Sequence, residues 1–210
     1  MSDLLNNVEL QFFYDIYADK PSGWRGPASA SAHSGLLTAV SRLVGARYFV
    51  ELGTGTGIGT RAFLRCARET DGHVWSIDHE ERLGKKELEG DPRVTFVIGD
   101  TIEVGSRTGD WAKEKGEPPQ HRAHALAVSA IWGKPDVVYV DSDHSYAHAL
   151  AELRIWSKLN PKVVFADDTM DPNEPWGSPI QAVHDFCEES GWRYINVPVA
   201  TGLAILVPPE

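Results

Sequence analysis

Arg47-Tyr-Phe-Val-Glu51-Leu-Gly53-Thr-Gly55-Thr-Gly57-Ile-Gly59-Thr60 begins as a short apolar strand and runs into a loop with glycine at 53, 55, 57 and 59. Arg61 to Arg68 then carry a helix-compatible pattern, so the unit reads as strand, glycine loop and helix. Such a unit cradles a nucleotide. Glycine leaves no Cβ between backbone and ligand, and the unpaired N–H groups at the helix start favour an anionic group. The spacing departs from the dinucleotide fingerprint G-x-G-x-x-G/A: from Gly53 the last position falls on Ile58, and from Gly55 on Thr60. A pyrophosphate is therefore not the expected ligand, and a plain glycine-rich turn stays the alternative on this stretch alone.

The 210 residues suffice for one buried α/β domain, read as an N-terminal helix and covering loop (1–34) and a core (35–210). A composition of 42% apolar and 24% charged residues excludes disordered and collagen-like classes. The net charge of −10, with the basic residues scattered, lacks the footprint of a nucleic-acid binder, so a small-molecule partner is expected. No apolar run is long enough to cross a bilayer, and Met1-Ser-Asp-Leu-Leu-Asn-Asn lacks the basic start and apolar core of a signal peptide. A cytoplasmic protein without a membrane partner is the expectation. Cys66 and Cys187 stand in separate helix-like segments without metal-type spacing and read as packing residues of a reducing compartment.

Along the chain, a helix is expected over 3–18, then a Pro- and Gly-rich loop in which Trp24 and Arg25 either cover a substrate or sit in a bland turn. Ala28 to Leu43 reads as a helix with His33 near its start, either facing the pocket or, the preferred reading, in a non-catalytic role. His73 to Asp78 is a second strand ending in an acid about twenty positions beyond the glycine loop, where a ribose-binding carboxylate belongs. Asp78 either takes that role or caps a helix over Glu80 to Leu88. Arg93 to Asp100 is a third strand, again closing on an acid. Helices are expected over 102–115 and 121–132, with His121 and His124 solvated, and no chemistry is assigned there. Pro135 to Asp141 is the fourth strand, followed by Ser142-Asp-His-Ser-Tyr146 and a helix through Leu159. Pro161 to Asp168 is the fifth strand. A helix over Pro179 to Glu189 and strands over Tyr194 to Val197 and Gly202 to Val207 close the chain.

If the fourth and fifth strands are neighbours, roughly 4.8 Å apart, Asp141, Asp167 and Asp168 crowd one point. Two carboxylates about 4 Å apart repel by about 4 kcal/mol at an effective dielectric of ~20, so three need a cation or protons. Oxygen ligands with open positions suit Mg²⁺, or Mn²⁺ as a substitute. The alternative is that Asp141 and Asp168 are only strand-end turn residues. Asp143 reads as an N-cap for the following helix. His148, four residues after His144, could form a two-histidine metal face, but lacks the Glu that such a face carries next to its first histidine.

Glu51-x-Gly53-x-Gly55-x-Gly57 resembles motif I of the class I S-adenosylmethionine (SAM) methyltransferases. Asp141-Ser-Asp-His144-Ser-Tyr146, Trp156 and Phe165-Ala-Asp167-Asp168 together resemble the metal-dependent O-methyltransferases of the macrocin and mycinamicin sugar type, with the cephalosporin hydroxylase group close by. The catechol O-methyltransferases share the metal arrangement but usually carry Asp-Asn at the place of Asp167-Asp168. The resemblance covers about residues 35–207. It implies a Rossmann-like α/β fold with a seven-stranded, mostly parallel sheet, an antiparallel C-terminal edge and helices on both faces. It further implies SAM contacts at Glu51, Gly53, Thr54, Gly55, Gly57, Asp78, His79, Asp100, Thr101 and Asp141, with Asp100 and the backbone of Thr101 at the adenine.

The same resemblance implies Mg²⁺ on Asp141, Asp167 and Asp168, and His144 as general base beside Asp141 in the catalytic pair. The expected reaction is transfer of a methyl group to a hydroxyl of a sugar, polyol or phenol. A metal that chelates two neighbouring oxygens lowers the hydroxyl pKa, while a base collects the proton. Alternatives are an oxidative enzyme of the cephalosporin hydroxylase kind and a non-catalytic adenosyl-binding module. The N-terminal extension is shorter than in the sugar enzymes, so the acceptor stays open, as does the homo-oligomer that such an extension could build.

Overall fold

The computed structural model describes residues 29–107, 135–170, 179–198 and 200–210. The expected helix at 3–18, Trp24 and Arg25, the end of the 102–115 helix, and the 121–132 helix with His121 and His124 lie outside them.

Seven strands form one sheet: β1 (Tyr48–Leu52), β2 (His73–Asp78), β3 (Val94–Ile98), β4 (Val137–Val140), β5 (Val163–Asp167), β6 (Arg193–Val197) and β7 (Leu203–Val207). Their order is β3-β2-β1-β4-β5-β7-β6. The first five run parallel, and β7 lies antiparallel between β5 and β6. The expected architecture is therefore present. Strands β4 and β5 are buried at every residue, as unbroken apolar runs must be when helices cover both faces of a parallel sheet. Strand β6, at the edge, is partly exposed throughout.

The described helices are α1 (Ser29–Leu43), α2 (Ile58–Thr70), α3 (Leu83–Leu88), α4 (Thr101–Arg107), α5 (Tyr146–Trp156), continued by a 3₁₀ turn over Ser157–Leu159, and α6 (Pro179–Ser190). Alternation along each strand sends its residues to two separate cores. Phe49, Tyr139 and Phe165 meet Leu37 of α1 and Phe63 of α2 on one face. Val50, Val138 and Val164 meet Leu150 and Leu153 of α5 and Phe186 of α6 on the other. Both cysteines are buried and unbridged in these cores, as packing residues should be.

After β1 the chain lays β2 and β3 to one side, then returns to place β4 and β5 on the other. The loops leaving β1 and β4 therefore diverge, and a crevice opens at the carboxyl ends of the strands. The two loops meet at its floor. Gly53 donates to Ile77 O at 2.7 Å, and Asp141 N–H donates to Leu52 O at 2.8 Å. A Cβ on Gly53 would lie 2.0 Å from the Asp141 carbonyl oxygen, and the glycine holds φ at 95°. Only glycine satisfies both conditions.

Gly53→Ala should accordingly destabilise the fold by roughly 2–4 kcal/mol, from overpacking against backbone plus left-handed strain. Urea unfolding monitored by tryptophan fluorescence measures this; a midpoint equal to that of the unaltered chain would contradict it.

Candidate active site

The crevice encloses about 640 Å³ and is lined by Gly53, Gly55, Asp78, His79, Arg82, Gly99, Asp100, Thr101, Asp141, Ser142, Asp143 and His148. Its size suits a small-molecule or cofactor site. Seven of the expected contact positions, from Gly53 to Asp141, thus share one cavity. Asp78 faces the glycine loop: its Oδ2 accepts from the N–H of Thr54 at 3.0 Å and of Gly55 at 3.4 Å. Its Oδ1 accepts from Glu80 N–H at 3.3 Å and Arg82 Nε at 3.2 Å, with His79 Nδ1 3.1 Å away. The alternative of Asp78 as a helix cap gives way here, because α3 begins only at Leu83, with Arg82 at its N-cap.

Glu51, Thr54 and Gly57 do not line the crevice. Glu51 is 1% exposed and lies beneath the loop, where Thr60 Oγ1 and, at 2.5 Å, Ser76 Oγ donate to its Oε2. Strand alternation explains it: Glu51 follows Phe49 onto the face covered by α2. Burial pushes its carboxyl up to about 8, against the hydrogen bonds from Ser76 and Thr60 that lower it. Gly59 makes room for it, since a Cβ there would lie 2.3 Å from Glu51 Oε1. Thr54 is buried with its hydroxyl 2.7 Å from Ser76 Oγ. Gly57 packs on Gly84, whose Cα a Cβ would approach to 2.8 Å. These residues shape the loop from below.

At the ends of β4 and β5, ligand atoms of Asp141, His144 and Asp168 lie within 4.8 Å of one another. His144 Nδ1 is 3.0 Å from Asp168 Oδ2, and its Nε2 is 3.7 Å from Asp141 Oδ1. Burial, then the Asp167 carboxylate, pushes Asp141 up to about 7, while His144 acts in the opposite direction. Such a set of acids and one imidazole is a donor group that a divalent cation would neutralise.

Asp167 is the correction to the expected trio. Its place in β5 turns it to the α1 face, where Tyr139 Oη donates to its Oδ2 and His33 Nδ1 lies 2.8 Å from its Oδ1. Asp168 escapes the alternation because its φ is 54°, a left-handed conformation that Asp tolerates better than most residues. His33, 1% exposed, serves this buried pairing. His148 stays out of the acid group as well: its Nε2 sits 3.2 Å from Glu152 Oε1. Asp143 precedes the N-cap, which is Ser145, and accepts from Ser145 N–H at 2.8 Å.

Arg82, Gly99, Ser142, Asp143 and His148 line the crevice but were not among the expected contacts. Gly99 and Ser142 directly follow the ends of β3 and Asp141, so the strand-end rule could have included them. Arg82 and His148 belong to helix starts whose orientation no local pattern carries.

A doubly wound sheet with a glycine loop and strand-end acids around a crevice at its switch point defines a Rossmann-like α/β protein. The family model described as a methyltransferase domain matches residues 50–169, more than half of the chain, so the protein belongs to the methyltransferase-domain family. No curated protein matches the sequence. Among solved structures, the chain is similar to the O-methyltransferase TomG from Streptomyces achromogenes in complex with SAM, at 19% identity and TM-score 0.58, over 100% of this chain and 93% of that one. It is likewise similar to an O-methyltransferase from Bacillus cereus in complex with SAH, at 17% identity and TM-score 0.59, over 99% and 93%. A cofactor-bound Rv0187 from MTB gives 17% identity and TM-score 0.60, over 100% and 94%. At these identities the likeness is one of fold. No helix among the described residues is long and apolar enough to cross a membrane.

The buried Glu51 makes stability depend on pH. Its folded value of about 8 lies above the ordinary 4.5, so the stabilisation from its neutral form is full below about 4.5 and is lost as pH rises through 8. Glu51→Gln keeps a neutral side chain at every pH. Relative to the unaltered chain it should gain up to about 1.4 kcal/mol per pH unit between pH 5 and 8. Urea unfolding of both proteins at several pH values gives the difference, and a constant difference would contradict the assignment.

Proposed function

We propose that the protein is a SAM-dependent, metal-assisted O-methyltransferase acting on a hydroxyl of a small molecule, a sugar, polyol or phenol. The observation that carries this reading is that Asp141 belongs both to the crevice wall and to the group formed with His144 and Asp168. A cofactor in the crevice and a cation on that group would therefore be neighbours.

The crevice fits an adenosyl cofactor. Gly55 has open space where a Cβ would stand, and Asp78, Asp100 and Thr101 line the crevice, where Asp78 would accept from ribose hydroxyls and Asp100 and Thr101 would meet the base. The known partners of TomG and of the Bacillus cereus enzyme, SAM and SAH, support the choice. The hydrogen bonds that Asp78 now receives from Arg82 and Glu80 would be partly exchanged for ribose hydroxyls. Bound SAM supplies a methyl group on a sulfonium, open to in-line attack.

Asp141 and Asp168 would hold Mg²⁺ or Mn²⁺ beside His144, with Asp167 bracing Asp168 from behind by accepting its N–H at 2.8 Å. When bound, the cation would orient the acceptor hydroxyl and lower its pKa. His144 is the proton acceptor of the pair. Its Nδ1–H points to Asp168, which sets the tautomer and leaves Nε2 as the basic nitrogen.

Two substitutions test the division of roles. Asp168→Ala should abolish metal dependence and most turnover, measured by transfer of labelled methyl from SAM, while SAH affinity by calorimetry stays within a few fold. An equal loss of SAH binding would contradict it. His144→Ala should leave SAH and Mg²⁺ binding in place and slow transfer by ~10²-fold or more, as loss of a general base does. An unchanged rate would remove His144 from the chemistry.

A further inference from the structure

Glu152 stands in the middle of α5, 0% exposed, outside every role assigned so far. An acid in such a place costs desolvation free energy unless hydrogen bonds offset it. One oxygen is well supplied: Oε1 accepts from Thr101 Oγ1, from Ser142 Oγ at 2.6 Å and from His148 Nε2 at 3.2 Å. The other, Oε2, is buried without a hydrogen-bond partner among the described residues.

The three donors come from three separate segments. Thr101 starts α4 behind β3, Ser142 lies in the loop leaving β4, and His148 sits one turn ahead of Glu152 on α5. All three line the crevice. Thr101 is tied a second time, its carbonyl accepting from Trp156 Nε1 at 3.2 Å. Helix α4 is pressed close to that indole, because a Cβ on Gly105 would lie 2.7 Å from Trp156 Nε1. An apolar side chain of similar volume would fill this place on α5 without the desolvation cost, yet it would hold none of the three donors. Their joint attachment to one atom is the property that an acceptor oxygen at this position provides, and such networks hold more firmly than their separate bonds.

We propose that Glu152 is a positioning residue for the nucleobase end of the crevice. It fixes Thr101, Ser142 and His148 as a preformed polar wall, and so sets affinity and base selectivity for the adenosyl cofactor. This rests on the reading that the crevice takes such a cofactor. A wall ordered in advance lowers the cost of ordering on binding, so its loss is felt in cofactor binding.

The test is calorimetric titration of the full chain with S-adenosylhomocysteine and with its inosine analogue, in which oxygen replaces the adenine amino group. Glu152→Ala should raise the Kd for S-adenosylhomocysteine about tenfold and cut its preference over the inosine analogue to roughly a third or less, because discrimination by hydrogen bonding needs placed partners. Glu152→Gln keeps an acceptor oxygen for the same donors and should restore most of both. Mg²⁺ affinity should not move. A folded Glu152→Ala variant with the affinity and preference of the unaltered chain overturns the proposal, as does a loss of affinity that spares the preference and is not restored by Gln. Should Glu152→Ala lack a cooperative unfolding transition, Thr101→Val combined with Ser142→Ala decides. A weakened, less selective double variant supports the wall, and an unchanged one overturns it. Failure of the unaltered chain to bind S-adenosylhomocysteine would overturn the cofactor reading, and this inference with it.

Discussion

Two backbone segments cannot touch where a side chain stands between them, and this exclusion governs the centre of the molecule. The loop after β1 rests on the end of β4 at Gly53, against the Asp141 carbonyl. That contact sets the floor of the crevice, the origin of α2 and the position of Asp141, from which the group with Asp168 and His144 is built. The reversal of strand order between β1 and β4 is what brings these particular loops together.

The second constraint is electrostatic. Acids gather at the carboxyl ends of the strands, and most of their partners are hydroxyls and histidines. Glu51 is held by Ser76 and Thr60, Asp167 by Tyr139 and His33, Asp168 by His144, and Glu152 by Thr101, Ser142 and His148. Such partners hold a carboxylate in place while adding little positive charge. Apart from Glu51, which burial keeps neutral below about pH 8, such acids leave the end of the sheet negative, and on the proposed reading this suits both a sulfonium and a divalent cation. The values of about 8 for Glu51 and about 7 for Asp141 express the same crowding and burial. The two differ in consequence: Glu51, sealed under α2, affects folding, whereas Asp141, on the crevice wall, can meet a ligand.

Membership of the methyltransferase-domain family and the shared sheet fix the framework, while identities of 17–19% to the solved structures leave the chemistry to the side chains of this chain. Those side chains divide by depth. Gly53, Gly55, Asp78, Asp100 and Thr101 line the crevice, and Glu51, Thr54, Gly57 and Glu152 hold its walls from behind. A crevice built this way owes its shape in part to residues outside its lining.

The linear order of residues was enough for the sheet and for most of the crevice. Strand-length apolar runs, each closing on glycine or an acid, needed no partner to be recognised, because period and punctuation are local properties. That held for β1 to β5, for α1 and for the crevice positions at Gly53, Gly55, Asp78 and Asp141, whereas Asp100 and Thr101 followed from the resemblance to the SAM methyltransferases. Which way a side chain turns was a different matter. Asp167 and Asp168 are neighbours in sequence, yet one faces Tyr139 and His33 while the other meets His144, because one residue of left-handed backbone separates their directions. Glu51 went under the loop and Arg82 and His148 came into the crevice for a related reason: pleat and helix phase assign a side chain to a face, but only the packing of neighbouring elements decides what that face meets.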